Sequence, residues 1–268
     1  YFMKIFKLFL LFLLLISCAK QDSPRNTEDC ATSYTMDDPK KEMEGILKAK
    51  LRFVIFKDSL SVIDTNYILN SLDLLNKLLY ATNKQFEIDT IESCYLPFGH
   101  DMQSFLYHAQ LLNKDNVFNV YIYSMDQPRM PSYKKNVKGD AADIPSRSIA
   151  IRSAFLNTST LAHEMLHCLG LLHVHQPDST NGYTIYSGDL VCDTKAFNAE
   201  EYVSEECKYS GPDILPPDNP ENYECNIMSY IPSSCRNCLT DKQLDRVNFI
   251  IQNTSFLREC FGLSVSNI

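Results

Sequence analysis

Apolar positions along the chain change their period several times, and each change predicts an element. Leu8 to Ile16 is an unbroken apolar run behind a short stretch carrying Lys4 and Lys7. It reads as a secretory signal, shorter than the roughly 20 residues of a membrane span. Gln21 to Glu44 is polar, contains Pro24 and Pro39 and lacks apolar patterning, as a tether does. Leu51 to Phe56 reads as a buried strand. Ile68, Leu69, Leu72, Leu75, Leu78 and Leu79 then recur at helical spacing, which predicts a helix across residues 65 to 82. Further strands are expected over 86–91, 117–123 and 148–152, with a helix from Asp101 to Leu112. Thr158 or Ser159 is placed to cap the next helix, and Thr240-Asp241-Lys242-Gln243 forms a capping box for a last helix to about Asn253.

The helix behind Ser159 carries the chemistry. In His163-Glu164-Met165-Leu166-His167 the two histidines lie one helical turn apart on one face, so both imidazoles can reach a single metal with Glu164 beside them. His173 lies six residues past His167, roughly 240° around a continued helix, and joins them only if the helix stops and the chain turns back. Gly170 permits that turn, because glycine adopts positive φ without steric cost. The donor set is that of a catalytic zinc site with three protein ligands.

The stretch His163 to His173 has the form HExxHxxGxxH and resembles the signature of the metzincin metallopeptidases. Two later segments narrow the resemblance to the pappalysin branch: Gly188-Asp189-Leu190-Val191-Cys192-Asp193-Thr194, and Cys225-Asn226-Ile227-Met228-Ser229-Tyr230 followed by Cys235 and Thr240 to Gln243. The likeness spans about residues 51 to 253; Lys195 departs from it, since relatives commonly have proline there. It implies an α+β fold, a twisted mixed sheet with a backing helix and the zinc helix, then an irregular C-terminal subdomain ending in a helix. It also implies a zinc endopeptidase with His163, His167 and His173 as ligands, Glu164 as general base, and Met228 as a hydrophobic floor below the metal. Tyr230 would approach the metal or the tetrahedral intermediate, with a purely structural tyrosine as the alternative. Gly139 to Ile144 would be the edge strand that pairs with substrate backbone. Asp189, Asp193 and Thr194 form a candidate calcium loop, with turn capping as the alternative. A disulfide between Cys207 and Cys235 is implied as well.

Leu15-Ile16-Ser17-Cys18 looks like a bacterial lipobox, with Cys18 lipidated, translation starting at Met3, and simple release as the alternative. The organisation expected is a signal over 1–17, a tether over 18–50 and a peptidase domain over 51–268, divided into subdomains 51–170 and 171–268. This places the protein in the bacterial cell envelope, anchored by lipid, or secreted, and as a monomer. Loss of Lys4 and Lys7 with residues 1–17 moves the formal charge from −8 to −10, which gives no support for binding nucleic acid. Nine cysteines follow Cys18, so disulfides are expected with at least one thiol left over. The pair Cys235 and Cys238 has a rival reading as zinc ligands. Cys168 is either a buried thiol or bonded to Cys192 or Cys225. Cys30 is either a switch thiolate on the zinc or a disulfide partner of Cys94 or Cys260. His100 and His108 read as surface or packing residues.

Two rivals remain at this level: a non-cleaving surface lipoprotein that binds partner proteins through the cleft, and a zinc hydrolase with a glutamate third ligand, which His173 makes unnecessary. Pappalysin relatives favour a basic residue on the leaving side of the cut, through an acid just past the Met-turn tyrosine. Here that segment is Ile231-Pro232-Ser233-Ser234, without a carboxylate, and Asp241 is the nearest substitute. The expectation is relaxed selectivity, with uncharged side chains accepted alongside arginine.

Overall fold

The computed structural model describes residues 45–56, 63–94, 111–123, 137–175, 177–178, 185–186, 188–191, 193–194, 202–211 and 221–263. The expected signal, tether, Cys18, Cys30, His100, His108 and Cys192 lie outside the described residues, as does all but the end of the helix expected over Asp101 to Leu112.

Five strands form one sheet: β1 (Leu47–Phe56), β2 (Lys84–Cys94), β3 (Phe118–Tyr123), β4 (Gly139–Ala141) and β5 (Ser148–Arg152). Their order is β2-β1-β3-β5-β4. β1, β2, β3 and β5 run parallel, and β4 closes the series antiparallel to β5. β4 is shorter than the Gly139 to Ile144 stretch expected, ending at Ala141. β3 and the Leu51 to Phe56 half of β1 are buried on both faces, as central parallel strands are.

One face of the sheet is covered by α1 (Thr65–Leu79) and by α2 (Thr160–Cys168). Asp64 caps α1 by accepting the Asn66 N–H at 2.9 Å. Ile68, Leu72, Leu75, Leu78 and Leu79 are buried at i, i+4, i+7 spacing, each worth about 1.5 to 3 kcal/mol of burial. Leu69, also expected in that stripe, is 51% exposed because it lies about 100° off the face. α1 ends in a 3-10 turn over Tyr80–Thr82, and the Asn76 amide bonds both the N–H and the C=O of Phe86 (2.7 and 3.0 Å), tying α1 to β2.

The chain finishes in α3 (Glu221–Cys225), α4 (Asp241–Asn253) and α5 (Ser255–Cys260). Val247, Ile251, Leu257 and Phe261 join the same buried cluster as the sheet, with the Phe261 ring edge-on to Phe86 and Phe118. The expected subdomain border at residue 170 therefore does not separate two hydrophobic cores.

The opposite face of the sheet joins a polar network to buried Val54, Phe56 and Tyr121. Arg52, buried on β1, donates through Nε and Nη2 to Glu92 (3.1 and 3.0 Å) and through Nη1 to Leu112 O and Asn119 Oδ1. Arg52, with Lys114, holds the Glu92 carboxyl down to about 2. A depressed carboxyl stabilises the fold above its unfolded pKa, near 4.5, and that stability drains away as pH falls toward 2. Solvent screening limits the contribution to about 0.5 to 1 kcal/mol, since the Glu92 side chain is 37% exposed. Glu92→Gln is expected to lower the urea midpoint at pH 7 and to narrow the gap between the pH 7 and pH 3 midpoints. An unchanged gap would show that the pair adds nothing.

Candidate active site

α2 is buried along its whole length. Ser159 occupies its N-cap position, but the Ser159 hydroxyl donates to Ser233 O (3.2 Å), and it is Thr158 Oγ1 that accepts the Thr160 N–H (3.2 Å). At the other end the Gly170 N–H donates to His167 O (2.9 Å) and the Leu171 N–H to Leu166 O (3.0 Å), the paired bonds of a helix stop with glycine at φ 92°. The chain thus reverses where the sequence requires it. The space is tight as well, since a Cβ on Gly170 would lie 2.7 Å from Ile250 Cγ1.

The reversal brings His173 back to the other two histidines. His173 Nε2 lies 3.1 Å from His163 Nε2 and 3.0 Å from His167 Nε2. His163 Nδ1 is 2.6 Å from Ile227 O, and His167 Nδ1 is 2.7 Å from Leu171 O. A carbonyl only accepts, so both Nδ1 atoms carry the proton, and both Nε2 atoms present bare lone pairs. Two lone pairs and a third imidazole nitrogen converging at about 3 Å cannot all be satisfied by one another. A cation between them resolves the repulsion, so the residues present fit zinc, which prefers imidazole donors. Burial first, and then the neighbouring histidines, push His163 well below its ordinary value; burial takes His167 down to about 4 and His173 to about 2. The imidazoles are therefore neutral, which is the ligating form. Among the described residues these three are the one cluster placed to hold a metal.

Glu164 points into a cleft of about 1070 Å³ lined by α2, β4 and the segment from Tyr230 to Arg236. Burial, and then Asp140, raise its carboxyl to about 8, while Arg236 and the Ala141 N–H oppose the shift. A dication held by the histidines would pull the value back down. β4 approaches so closely that a Cβ on Gly139 would stand 2.8 Å from Glu164 Cγ and 2.9 Å from Thr160 Cγ2. Met228 is fully buried next to Ile227, its N–H held by Asn226 Oδ1 (2.9 Å) and its C=O by the Val174 N–H (3.0 Å). Tyr230 is 43% exposed at the cleft, its ring 4.7 Å from that of His173. His175, not singled out from the sequence, stacks on the His173 ring and lies tilted against that of Tyr230 with centroids 4.2 Å apart; its spacing two residues past His173 is its only signal in the sequence. Arg236 was also missed: its buried guanidinium lines the cleft.

The calcium loop expected at Asp189, Asp193 and Thr194 is not supported. Asp189 accepts from the Val191 N–H (3.2 Å), Gln243 Nε2 (2.8 Å) and the Thr194 hydroxyl. Asp193 accepts from the Thr240 hydroxyl (2.8 Å) and the Lys242 N–H (3.0 Å), adding a second cap to α4. These carboxylates spend their lone pairs on protein donors, so capping is the role they fill. Cys207 is bonded to Cys235 and Cys225 to Cys238, which removes the reading of Cys235 and Cys238 as zinc ligands. Cys168 is a free buried thiol beside Ser146 Oγ (3.1 Å), and Cys94 and Cys260 are free as well.

Gly170→Ala combines positive-φ strain with a clash against Ile250, and is expected to cost about 2 to 4 kcal/mol and to weaken zinc binding by displacing His173. Adding Ile250→Ala should restore only the part due to the clash. Urea midpoints with zinc titration read both effects, and a Gly170→Ala protein with native stability and affinity would remove glycine's role.

Comparison with known proteins agrees with this geometry. Residues 151–252 match the peptidase family model "Pregnancy-associated plasma protein-A". No curated protein matches the sequence. Among solved structures, a glutamate-to-alanine mutant of promirolysin from Tannerella forsythia aligns with a TM-score of 0.56 at 14% identity, over 82% of this chain and 85% of that one. Metalloproteinase-II from Bacteroides fragilis (18% identity, 60% of this chain and 54% of that one) and archaemetzincin from Methanopyrus kandleri (18%, 56% and 87%) both align at a TM-score of 0.37. The promirolysin match bears on the fold, and nothing rests on the last two. The family match over residues 151–252, the α+β fold and the histidine triad agree with one another and support a pappalysin-type metzincin, a family of zinc peptidases that act on protein or peptide substrates.

Proposed function

We propose that the cleft hydrolyses internal peptide bonds, with His163, His167 and His173 holding zinc and Glu164 moving the proton. The observation that carries this reading is the convergence of three neutral imidazole nitrogens within about 3 Å beside a buried carboxylate. Zinc bound there supplies Lewis acidity, acidifying water and polarising the scissile carbonyl. Glu164 takes a proton from the attacking water and delivers it to the leaving amine. The Ala141 N–H steadies that carboxylate, and the closeness of Gly139 keeps it against the zinc helix. β4 lies at the end of the sheet order and borders the cleft, where it can take an extended substrate as a further strand. In this reading Tyr230 donates a hydrogen bond to the tetrahedral intermediate, which its ring contact with His173 supports.

Glu164→Ala is expected to keep stoichiometric zinc and to lose several decades of kcat/KM. Zinc analysis and casein hydrolysis with and without a chelator measure the two quantities. Full activity in the zinc-loaded variant would end the general-base assignment, and an inert native protein would favour the non-cleaving binder. We further propose the lipid anchor on Cys18 in a bacterial envelope, on the apolar run that ends there. Labelled palmitate should enter the native chain but not Cys18→Ser, and equal labelling would refute the anchor.

A further inference from the structure

His175 is buried two residues past a zinc ligand, yet it does not belong to the cluster of ring nitrogens that His163, His167 and His173 form. What it offers is a ring. The imidazole stacks on that of His173, with centroids 5.0 Å apart and planes 16° from parallel, and it meets the Tyr230 ring at 4.2 Å, nearer than His173 does at 4.7 Å. His173 and Tyr230 line the cleft, and His175 touches both.

The backbone fixes this meeting. Val174, between the two histidines, donates its N–H to Met228 O (3.0 Å), so the segment that carries His173 and His175 is tied to the turn that carries Tyr230. Ser229, just before Tyr230, is held in turn by its N–H and its hydroxyl, which both donate to Asn226 O (3.2 and 2.7 Å).

Tyr230 needs such support, because 43% of it is exposed and a tyrosine side chain in water populates several rotamers. A hydroxyl that serves the tetrahedral intermediate helps most when it already stands in place, since ordering it during the reaction costs conformational entropy. The His163 ring and the Arg236 guanidinium carbon lie farther from the tyrosine ring, at 6.4 and 6.0 Å. Of the ring-to-ring contacts that Tyr230 makes among the described residues, the one to His175 is the closest.

We propose that His175 is a positioning residue: packed on both rings, it holds Tyr230 against His173 with the hydroxyl placed for the tetrahedral intermediate, and it acts on the reaction only through that tyrosine. The role rests on the reading of Tyr230 as the donor to the intermediate and goes beyond it by naming what holds the donor. It calls for a flat aromatic face and no ring nitrogen, so phenylalanine should serve in its place.

A double-mutant cycle separates positioning from general support of the site. The kcat and KM of peptide cleavage are measured on zinc-loaded native protein, His175→Ala, Tyr230→Phe and the double variant, each with its zinc content. Tyr230→Phe is expected to lower kcat about a hundredfold, as the loss of one donor to the intermediate does. His175→Ala should lower kcat about two- to tenfold with KM little changed, the worth of an aromatic contact read as a rate, and should add no further loss to Tyr230→Phe. His175→Phe should keep the native kcat. Near-ultraviolet circular dichroism reports the fold, and if the alanine variant loses its packing, His175→Leu fills the space without an aromatic face and takes its place with the same expectation.

A second readout does not involve turnover. In protein labelled with fluorotyrosine, the fluorine NMR signal of Tyr230 is assigned by its loss in Tyr230→Phe. That signal should be displaced from the free amino acid's in the native protein and in His175→Phe, with zinc or without it, and should move toward the free value in His175→Ala. An unmoved signal would overturn the proposal, as would equal losses of kcat from His175→Ala in both backgrounds. A native kcat in Tyr230→Phe would end the donor reading and the proposal with it. An impaired Tyr230→Phe beside an unimpaired His175→Ala would leave the donor reading standing and remove only the role of His175.

Discussion

Two backbone carbonyls decide what the three histidines can be. Ile227 O and Leu171 O each take the Nδ1 proton of one imidazole, and this leaves the Nε2 lone pairs of His163 and His167 facing His173. Such an arrangement is repulsive without a cation, and a folded chain keeps it only if the carbonyls cannot move. Leu171 O is fixed by the helix stop at Gly170. Ile227 O belongs to the Met-turn, and the C-terminal third of the described chain is arranged around holding that turn in place.

Beside the Cys225–Cys238 disulfide, a buried polar network holds the turn. The Asn226 side chain accepts the Met228 N–H and donates to Gln243 Oε1, which also accepts the Thr240 N–H as the reciprocal half of the capping box. Gln243 Nε2 donates to Asp189, and Arg246 reaches Gly170 O (2.8 Å) and Asp189 O (3.3 Å). The network therefore joins the helix stop to the Met-turn through α4. Every group in it is buried, so losing one partner strands another at about 1 to 3 kcal/mol or more for a charged group, where an exposed hydrogen bond would cost far less. Burial raises the Asp189 carboxyl against the pull of its donors, so the network carries an electrostatic cost for the geometry it enforces.

What could be read from sequence divides along the same line. The parallel strands, α1, α4 with its capping box, and the three histidines all follow from periodicity or fixed offsets within a dozen residues. Features that depend on partners far apart in the chain did not. Ser159 and Thr158 share the start of α2 in a way set by Ser233, 74 residues on from Ser159. Asp189 and Asp193 offer the oxygens a calcium ion would want, but Gln243, Thr240 and Lys242 arrive first, and no spacing rule shows that. Cys225 pairs with Cys238 across 13 residues, which a count of cysteines leaves undetermined. Arg236 carries no motif at all. Only its position beside a bridged cysteine at the cleft distinguishes it from any surface arginine.

Gly139 shows how closely the wall of the cleft and the Glu164 carboxylate are joined. A glycine at the start of a three-residue strand looks like a turn residue, yet its φ is not in the left-handed region, so conformational freedom does not explain it. Space does. Any side chain would have to enter the volume held by Glu164 Cγ, Glu164 Oε1 and Thr160 Cγ2, all within 2.9 Å of the added Cβ. Glu164 is confined on that side by the strand and, two residues on, is held by the Ala141 N–H. A displacement of β4 away from α2 would thus loosen the carboxylate and widen the groove together. The edge strand and the Glu164 carboxylate are thus set by one packing contact, and neither can shift without the other.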